Sequence, residues 1–269
     1  MPPAPASVRA ELTGDEFELR RLYELFRAGS PRVVRGDIET GAEDVYADNI
    51  INGFEGVEGR YFLVDDDVLD GLFGTPIEMM REAKALMELL TGFARVDGAP
   101  IRTVAVGGNF YRGDGAAPHN RLGVSEGEPI VAYDSAGPGY SLVDGVPQIP
   151  PAIGPPYVQL ATNNLYVRKA LRIISRAQSP TFYDQWKLWE IIRDTGGGED
   201  AVIAAGWATV DELEAFRQSV NDEGISGDVA RHTRQPQTKK RSAPTHTLTE
   251  AEAAGYILRL TRVWLDSLL

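Results

Sequence analysis

The chain has 269 residues, 43% hydrophobic and 25% charged, with no cysteine and a formal net charge of −12. These proportions exclude a disordered chain and fit one large or two ordinary domains. The lack of cysteine excludes disulfides and thiolate metal sites and fits a reducing compartment. The charge is unevenly divided, with 25 acidic and 13 basic side chains in 1–160 against 14 of each in 161–269. The first half would therefore repel a phosphate backbone.

The first dozen residues, rich in proline and alanine, read as a mobile tail with no apolar core of signal-peptide length. From Asp15 to Ala28 the spacing of Phe17, Leu19, Leu22, Leu25 and Phe26 predicts a helix, closed by Gly29-Ser30-Pro31. Arg32–Arg35 and Arg60–Val64 read as strands, the second ended by Asp65-Asp66-Asp67. Between them, 37–59 is acidic and glycine-punctuated, with periodicity only over Val45–Ile51. Thr75-Pro76-Ile77-Glu78 is a helix start, with threonine as cap, proline at the first helical position and Glu78 completing a capping box. That helix is expected to reach about Leu90, with Ile77, Met80, Ala83, Met87 and Leu90 as its apolar stripe. Arg102–Val106 and Ile130–Tyr133 are β-like, and Gly107-Gly108 and Arg112–Gly115 between them are turn signals. Strands interleaved with one strong helix make 13–147 a small acidic α+β domain.

Five prolines in 146–156 disfavour helix and interior strand, so 148–160 reads as a stiff linker. Beyond it, 161–269 reads as an all-α four-helix bundle. Its first helix opens at Thr162 or Asn163, with Leu165, Ala170, Leu171 and Ile174 in the core stripe. The second follows Ser179-Pro180, carries Phe182, Trp186, Trp189 and Ile192, and stops at Gly196-Gly197-Gly198. One helical turn is expected over 201–205. Capping boxes at Thr209–Glu212 and Thr249–Glu252 open the third helix, with Leu213, Phe216 and Val220, and the last, with Ala254, Ile257, Leu258, Thr261, Trp264, Leu265 and Leu268. The fold class expected is α+β, an acidic α+β domain followed by a helical bundle.

Phosphate-loop, dinucleotide and nucleophile-elbow motifs are missing, and His119, His232 and His246 do not stand at metal-ligand spacing. Asp65, Asp66, Asp67 and Asp70 lack the alternating ligands and distal glutamate of a calcium loop. They read as a strand end with favourable charge at a helix N-terminus. These patterns point to no metal and no cofactor, and no run approaches the roughly 20 apolar residues of a membrane span. Tyr183, Trp186 and Trp189, at helical spacing, read as core rings rather than a base-stacking platform. Lys169, Arg172 and Arg176 form a basic stripe, read as a solvated helix face that could extend a neighbouring positive field.

That field belongs to 229–249, which carries Arg231, His232, Arg234, Lys239, Lys240, Arg241 and His246 and no acidic residue. Such an island in an acidic protein normally has a polyanionic counterpart. Arg231, His232, Arg234, Lys239 and Lys240 are the residues expected to bind nucleic acid. The competing counterpart is an acidic protein surface, this chain's first domain included. Arg241-Ser242-Ala243-Pro244-Thr245-His246, just before a late helix, has the arginine–four residues–histidine spacing that resembles the catalytic signature of HEPN-domain ribonucleases. The resemblance covers at most 161–269. It implies metal-independent RNA cleavage at the interface of a homodimer, with His246 transferring protons and Arg241 orienting or neutralising the scissile phosphate. The functional expectation is a cytoplasmic two-domain protein that presents a basic segment to RNA or another polyanion. The alternatives are an HEPN-like ribonuclease and a structural or assembly protein with an acidic partner.

Overall fold

The computed structural model describes residues 8–35, 61–112, 120–123, 142–143, 146–147, 151–176, 179–221 and 247–269. The protein is α+β and divides into two compact units, Met1–Ala94 with Ala99–Gln159 and Arg95–Gly98 with Leu160–Leu269.

The first unit is built on a five-stranded antiparallel sheet among the described residues. Its strands are β1 (Val8–Thr13), β2 (Arg32–Arg35), β3 (Tyr61–Val64), β4 (Ala105–Arg112) and β5 (Asn120–Gly123), in the order β2-β3-β1-β4-β5. A separate two-stranded ribbon pairs Leu142–Val143 (β6) with Val146–Pro147 (β7). The central strand is β1, of which all but Thr13 falls in the stretch read from sequence as a tail. Val8, Ala10 and Leu12 are buried, alternating with half-buried Arg9, Glu11 and Thr13, so each strand face has its own surroundings. Gly107-Gly108, expected as a turn, lies inside β4. There the β1 register shifts between Ala10 and Leu12, and a Cβ on Gly107 would come within 3.1 Å of the Glu11 carbonyl oxygen. The glycines serve a bulge, not a reversal.

Helix α1 (Glu16–Phe26) starts at Asp15, whose carboxylate accepts the N–H groups of Phe17 (2.9 Å) and Glu18 (3.1 Å). It buries Leu19, Leu22, Leu25 and Phe26. The short α2 (Val68–Gly71) precedes α3 (Pro76–Val96), which runs six residues beyond the expected end at Leu90. Its apolar stripe holds for Met80, Ala83, Met87 and Leu90, but Ile77 is 81% exposed. Proline starts α3 as expected, while the Thr75 hydroxyl donates backwards to the Leu72 carbonyl (2.7 Å). Val45–Ile51, Ile130–Tyr133 and Gly113–Gly115 lie outside the described residues.

The expected linker also differs. Pro155 opens a helix, α4 (Pro155–Asn163), because proline suits the first turn, where no N–H is needed. The Gly154 N–H donates to the Leu25 carbonyl (2.9 Å), Tyr157 stacks on Phe93 with centroids 4.3 Å apart, and Val158 is fully buried. This part of the proline-rich stretch is docked rather than a spacer.

The second unit contains α5 (Leu165–Arg176), α6 (Phe182–Thr195), α7 (Glu199–Ala204), α8 (Val210–Asn221) and α9 (Glu250–Asp266). Thr181, Thr209 and Thr249 each form a reciprocal capping box, with Asp184, Glu212 and Glu252 respectively. Asn164 starts α5, its Oδ1 accepting the Tyr166 N–H (2.9 Å). Helix α6 contacts α5, α8 and α9, and its Trp189 and the Trp264 of α9 are the largest fully buried side chains among the described residues. Leu165, Tyr183 and Leu268, expected in the core, are not: Leu165 is 69% exposed, with Val167 taking the buried position, Tyr183 is 57% exposed and Leu268 37%. Among the described residues no helix is long and apolar enough to cross a membrane.

Candidate functional site

Arg231, His232, Arg234, Lys239, Lys240, Arg241 and His246 all fall in 222–246, outside the described residues, as does His119. The frame that holds the two ends of this basic segment is described. Its entry is the C-terminus of α8, where Ser219 is fully buried and its Oγ accepts the Leu248 N–H at 2.7 Å. Its exit is the capped start of α9. The two ends are therefore pinned together across 29 positions of sequence.

The same end of the unit carries the start of α6. The Phe182 N–H donates to Glu250 Oε1 (3.3 Å), and the fully buried Gln185 amide donates to the carbonyls of Pro180 (2.8 Å) and Glu250 (3.1 Å). The end of α5, at Arg176, precedes that start by only six residues. Below the pinned ends, the Phe216 and Tyr256 rings pack with centroids 5.1 Å apart, and the Arg259 guanidinium lies 5.2 Å from the Tyr256 ring. Burial, and secondarily the Glu212 charge, push the Tyr256 hydroxyl well above its ordinary pKa. It stays a neutral packing group at any physiological pH.

Cations in the unit are used in two ways. On α6, α8 and α9 each described one is ion-paired: Lys187 with Glu190 (2.8 Å), Arg193 with Asp194 (2.7 Å), Arg217 with Glu199 (2.9 Å), Arg259 with Glu212 (2.8 Å) and Arg262 with Asp266 (3.0 Å). Helix α5 has Arg168, Lys169, Arg172 and Arg176 and no acidic residue. Arg168 donates to the Ala161 carbonyl (3.0 Å) and to that of Thr162, closing the end of α4. Lys169 and Arg176, both exposed, have no hydrogen-bonding or ion-pair partner among the described residues.

Of the three rings expected in the core, Trp189 alone is fully in it, because the i, i+3, i+6 spacing carries the row round the helix to solvent. Trp189 is 1% exposed, Trp186 is half-buried with its indole N–H on Glu190 (2.9 Å), and Tyr183 is 57% exposed. In the first unit the aspartate run has structural partners. Asp65 Oδ1 accepts the Asp67 (3.1 Å) and Val68 (2.5 Å) N–H groups, Asp66 pairs with Arg32 (2.5 Å), and Asp70 Oδ1 accepts the Val8 N–H (2.5 Å). Among the described residues no group of three or more potential ligands could hold a metal ion. Another carboxylate fastens the loop before β4: Glu18 Oε2 accepts the N–H groups of Arg102 (2.8 Å) and Thr103 (2.7 Å).

The sequence signal for the basic segment was its composition. Its pinning by Ser219 and Leu248 had none, because both residue types are ordinary at helix ends. The chain matches no protein-family model, and no curated protein or solved structure is detectably similar to it. The HEPN resemblance therefore rests on the Arg241/His246 spacing alone.

Proposed function

We propose that the second unit binds RNA or another polyanion through the basic segment 229–249, with Arg231, His232, Arg234, Lys239 and Lys240 as phosphate-contacting groups. The observation that carries this reading is the contrast in charge use. The unit pairs the cations of α6, α8 and α9 with carboxylates, yet keeps five Lys and Arg side chains together in 229–249 with no acidic residue among them. Clustered cations lower the cost of approaching a phosphate backbone and release its counterions. The hydrogen bond from the Leu248 N–H to Ser219 Oγ supports the reading by holding the two ends of the segment at one place on the unit.

Filter binding of a labelled single-stranded RNA, wild type beside the Lys239→Ala/Lys240→Ala/Arg241→Ala variant, tests the proposal. Retention by wild type and its loss in the variant are expected. Equal retention by both removes the segment from the site. The same RNA is then examined for cleavage with wild type and His246→Ala. Cleavage by wild type alone turns the binding reading into the ribonuclease one.

A further inference from the structure

We propose that the exposed face of α5 bearing Lys169 and Arg176, with Tyr166 beside it, tracks the phosphate backbone of a single-stranded nucleic acid. The inference rests on the polyanion reading above and extends it to a helix whose geometry is described.

Four observations carry it. First, α5 has four cations and no carboxylate. Second, Lys169 and Arg176 lack partners among the described residues, whereas the described cations of α6, α8 and α9 have carboxylates. The helix dipole accounts for a cation at the C-terminal Arg176, but Lys169 lies in the first half of α5, where the dipole gives it no help. Third, Lys169, Arg172 and Arg176 recur at intervals of three and four and so share one face. At about 1.5 Å per residue, Lys169 to Arg176 spans about 10 Å. That length lets Lys169 and Arg176 meet different phosphates of one strand. Fourth, Tyr166, three residues before Lys169, presents a ring that is 52% exposed.

Exposed rings favour nucleic acid over an acidic polypeptide. Bases stack on tyrosine whatever their identity, while a carboxylate-rich chain has no use for the ring face. The stripe also ends where the basic segment is rooted. Arg176 leads into the start of α6, which is hydrogen-bonded to Glu250 at the start of α9.

The test uses the full chain and fluorescein-labelled twelve-nucleotide oligouridine and oligothymidine, read by fluorescence anisotropy over a salt series. Three variants are compared with wild type: Lys169→Ala/Arg176→Ala, Tyr166→Ala and Lys239→Ala/Lys240→Ala/Arg241→Ala. All α5 positions changed are exposed, so far-UV circular dichroism should not move. Losing two phosphate contacts should flatten the log–log salt slope by about 1.4, at about 0.7 per contact. Tyr166→Ala should weaken binding about 5- to 100-fold with the slope unchanged. If the α5 variants bind like wild type while the triple variant fails, the α5 proposal is overturned and the polyanion reading stands. If wild type binds neither oligonucleotide at low salt, both are overturned. If polyglutamate competes fully and its binding alone depends on Lys169 and Arg176, the face belongs to an acidic protein partner and the proposal is again overturned.

Discussion

Replacing Trp189 by alanine would remove a ring that is 1% exposed from α6, the helix in contact with α5, α8 and α9. The loss combines the transfer energy of the indole with the cavity left between helices that relax only partly, together about 3–5 kcal/mol. A domain's whole stability is about 5–15 kcal/mol, so the folding equilibrium should fall by about two to four orders of magnitude at about 1.4 kcal/mol per tenfold. Trp186 stands three residues earlier, and the helical spacing treats the two alike. In the structure it is half-buried, and its indole N–H donates to Glu190. Truncating it forfeits a net hydrogen bond of about 0.5–1.5 kcal/mol and a fraction of the ring's burial, for a total of about 1–2 kcal/mol. All four tryptophans, at 186, 189, 207 and 264, lie in the second unit. Tryptophan fluorescence in a urea titration therefore reports that unit alone. Trp189→Ala should have a much lower midpoint than Trp186→Ala. Equal midpoints, or the reverse order, would refute the packing described.

Three further outcomes follow from local geometry. At Gly154 a Cβ would overlap the Phe26 ring, so Gly154→Ala should destabilise the first unit by about 1–3 kcal/mol; a neutral result in thermal unfolding would show that α1 moves freely there. Thr249→Ala removes one half of the α9 capping box and should cost about 0.5–2 kcal/mol, with Thr249→Ser restoring most of it. The Thr209 N–H donated to Glu212, helped by the Thr209 hydroxyl and Arg259 against opposing desolvation, lowers the Glu212 carboxyl below its ordinary pKa of 4.5. A carboxyl depressed in the folded state stabilises above its unfolded pKa, and that stabilisation is lost as pH falls through the folded value. Glu212→Gln should thus be less stable than wild type at neutral pH, with the gap closing on acidification below 4.5; a gap independent of pH would contradict this assignment.

Features decided within a few residues were legible in the sequence. The boxes at Thr209 and Thr249 depend only on side chains three positions away, and they form as the spacing predicts. Thr75 shows the limit of the same signal, since its hydroxyl finds the Leu72 carbonyl instead. Features decided by distant partners were not legible. Val8–Thr13 has only Val8, Ala10 and Leu12 to mark its alternation, and it becomes a central strand because β3 and β4 pair with it from far along the chain. Gly107-Gly108 has a turn's composition, yet the bulge opposite Glu11 puts it inside a strand. The prolines before α4 break one element and begin the next, a choice settled by the docking of Tyr157 and Val158. For the candidate site, composition alone exposed the basic island and the α5 stripe. The pairing of cations elsewhere in the unit, which sets Lys169 and Arg176 apart, depends on which helices meet.

The most direct test of the central claim is the salt dependence of oligouridine binding by the wild-type chain and by the Lys239→Ala/Lys240→Ala/Arg241→Ala variant. If the basic segment contacts phosphates, the wild-type affinity falls steeply with salt, and the variant's log–log slope is flatter by about 1.4 from the contacts of Lys239 and Lys240, and by up to about 2 where Arg241 also meets a phosphate, at about 0.7 per contact. Parallel slopes for the two proteins, or no binding by wild type at low salt, would contradict it.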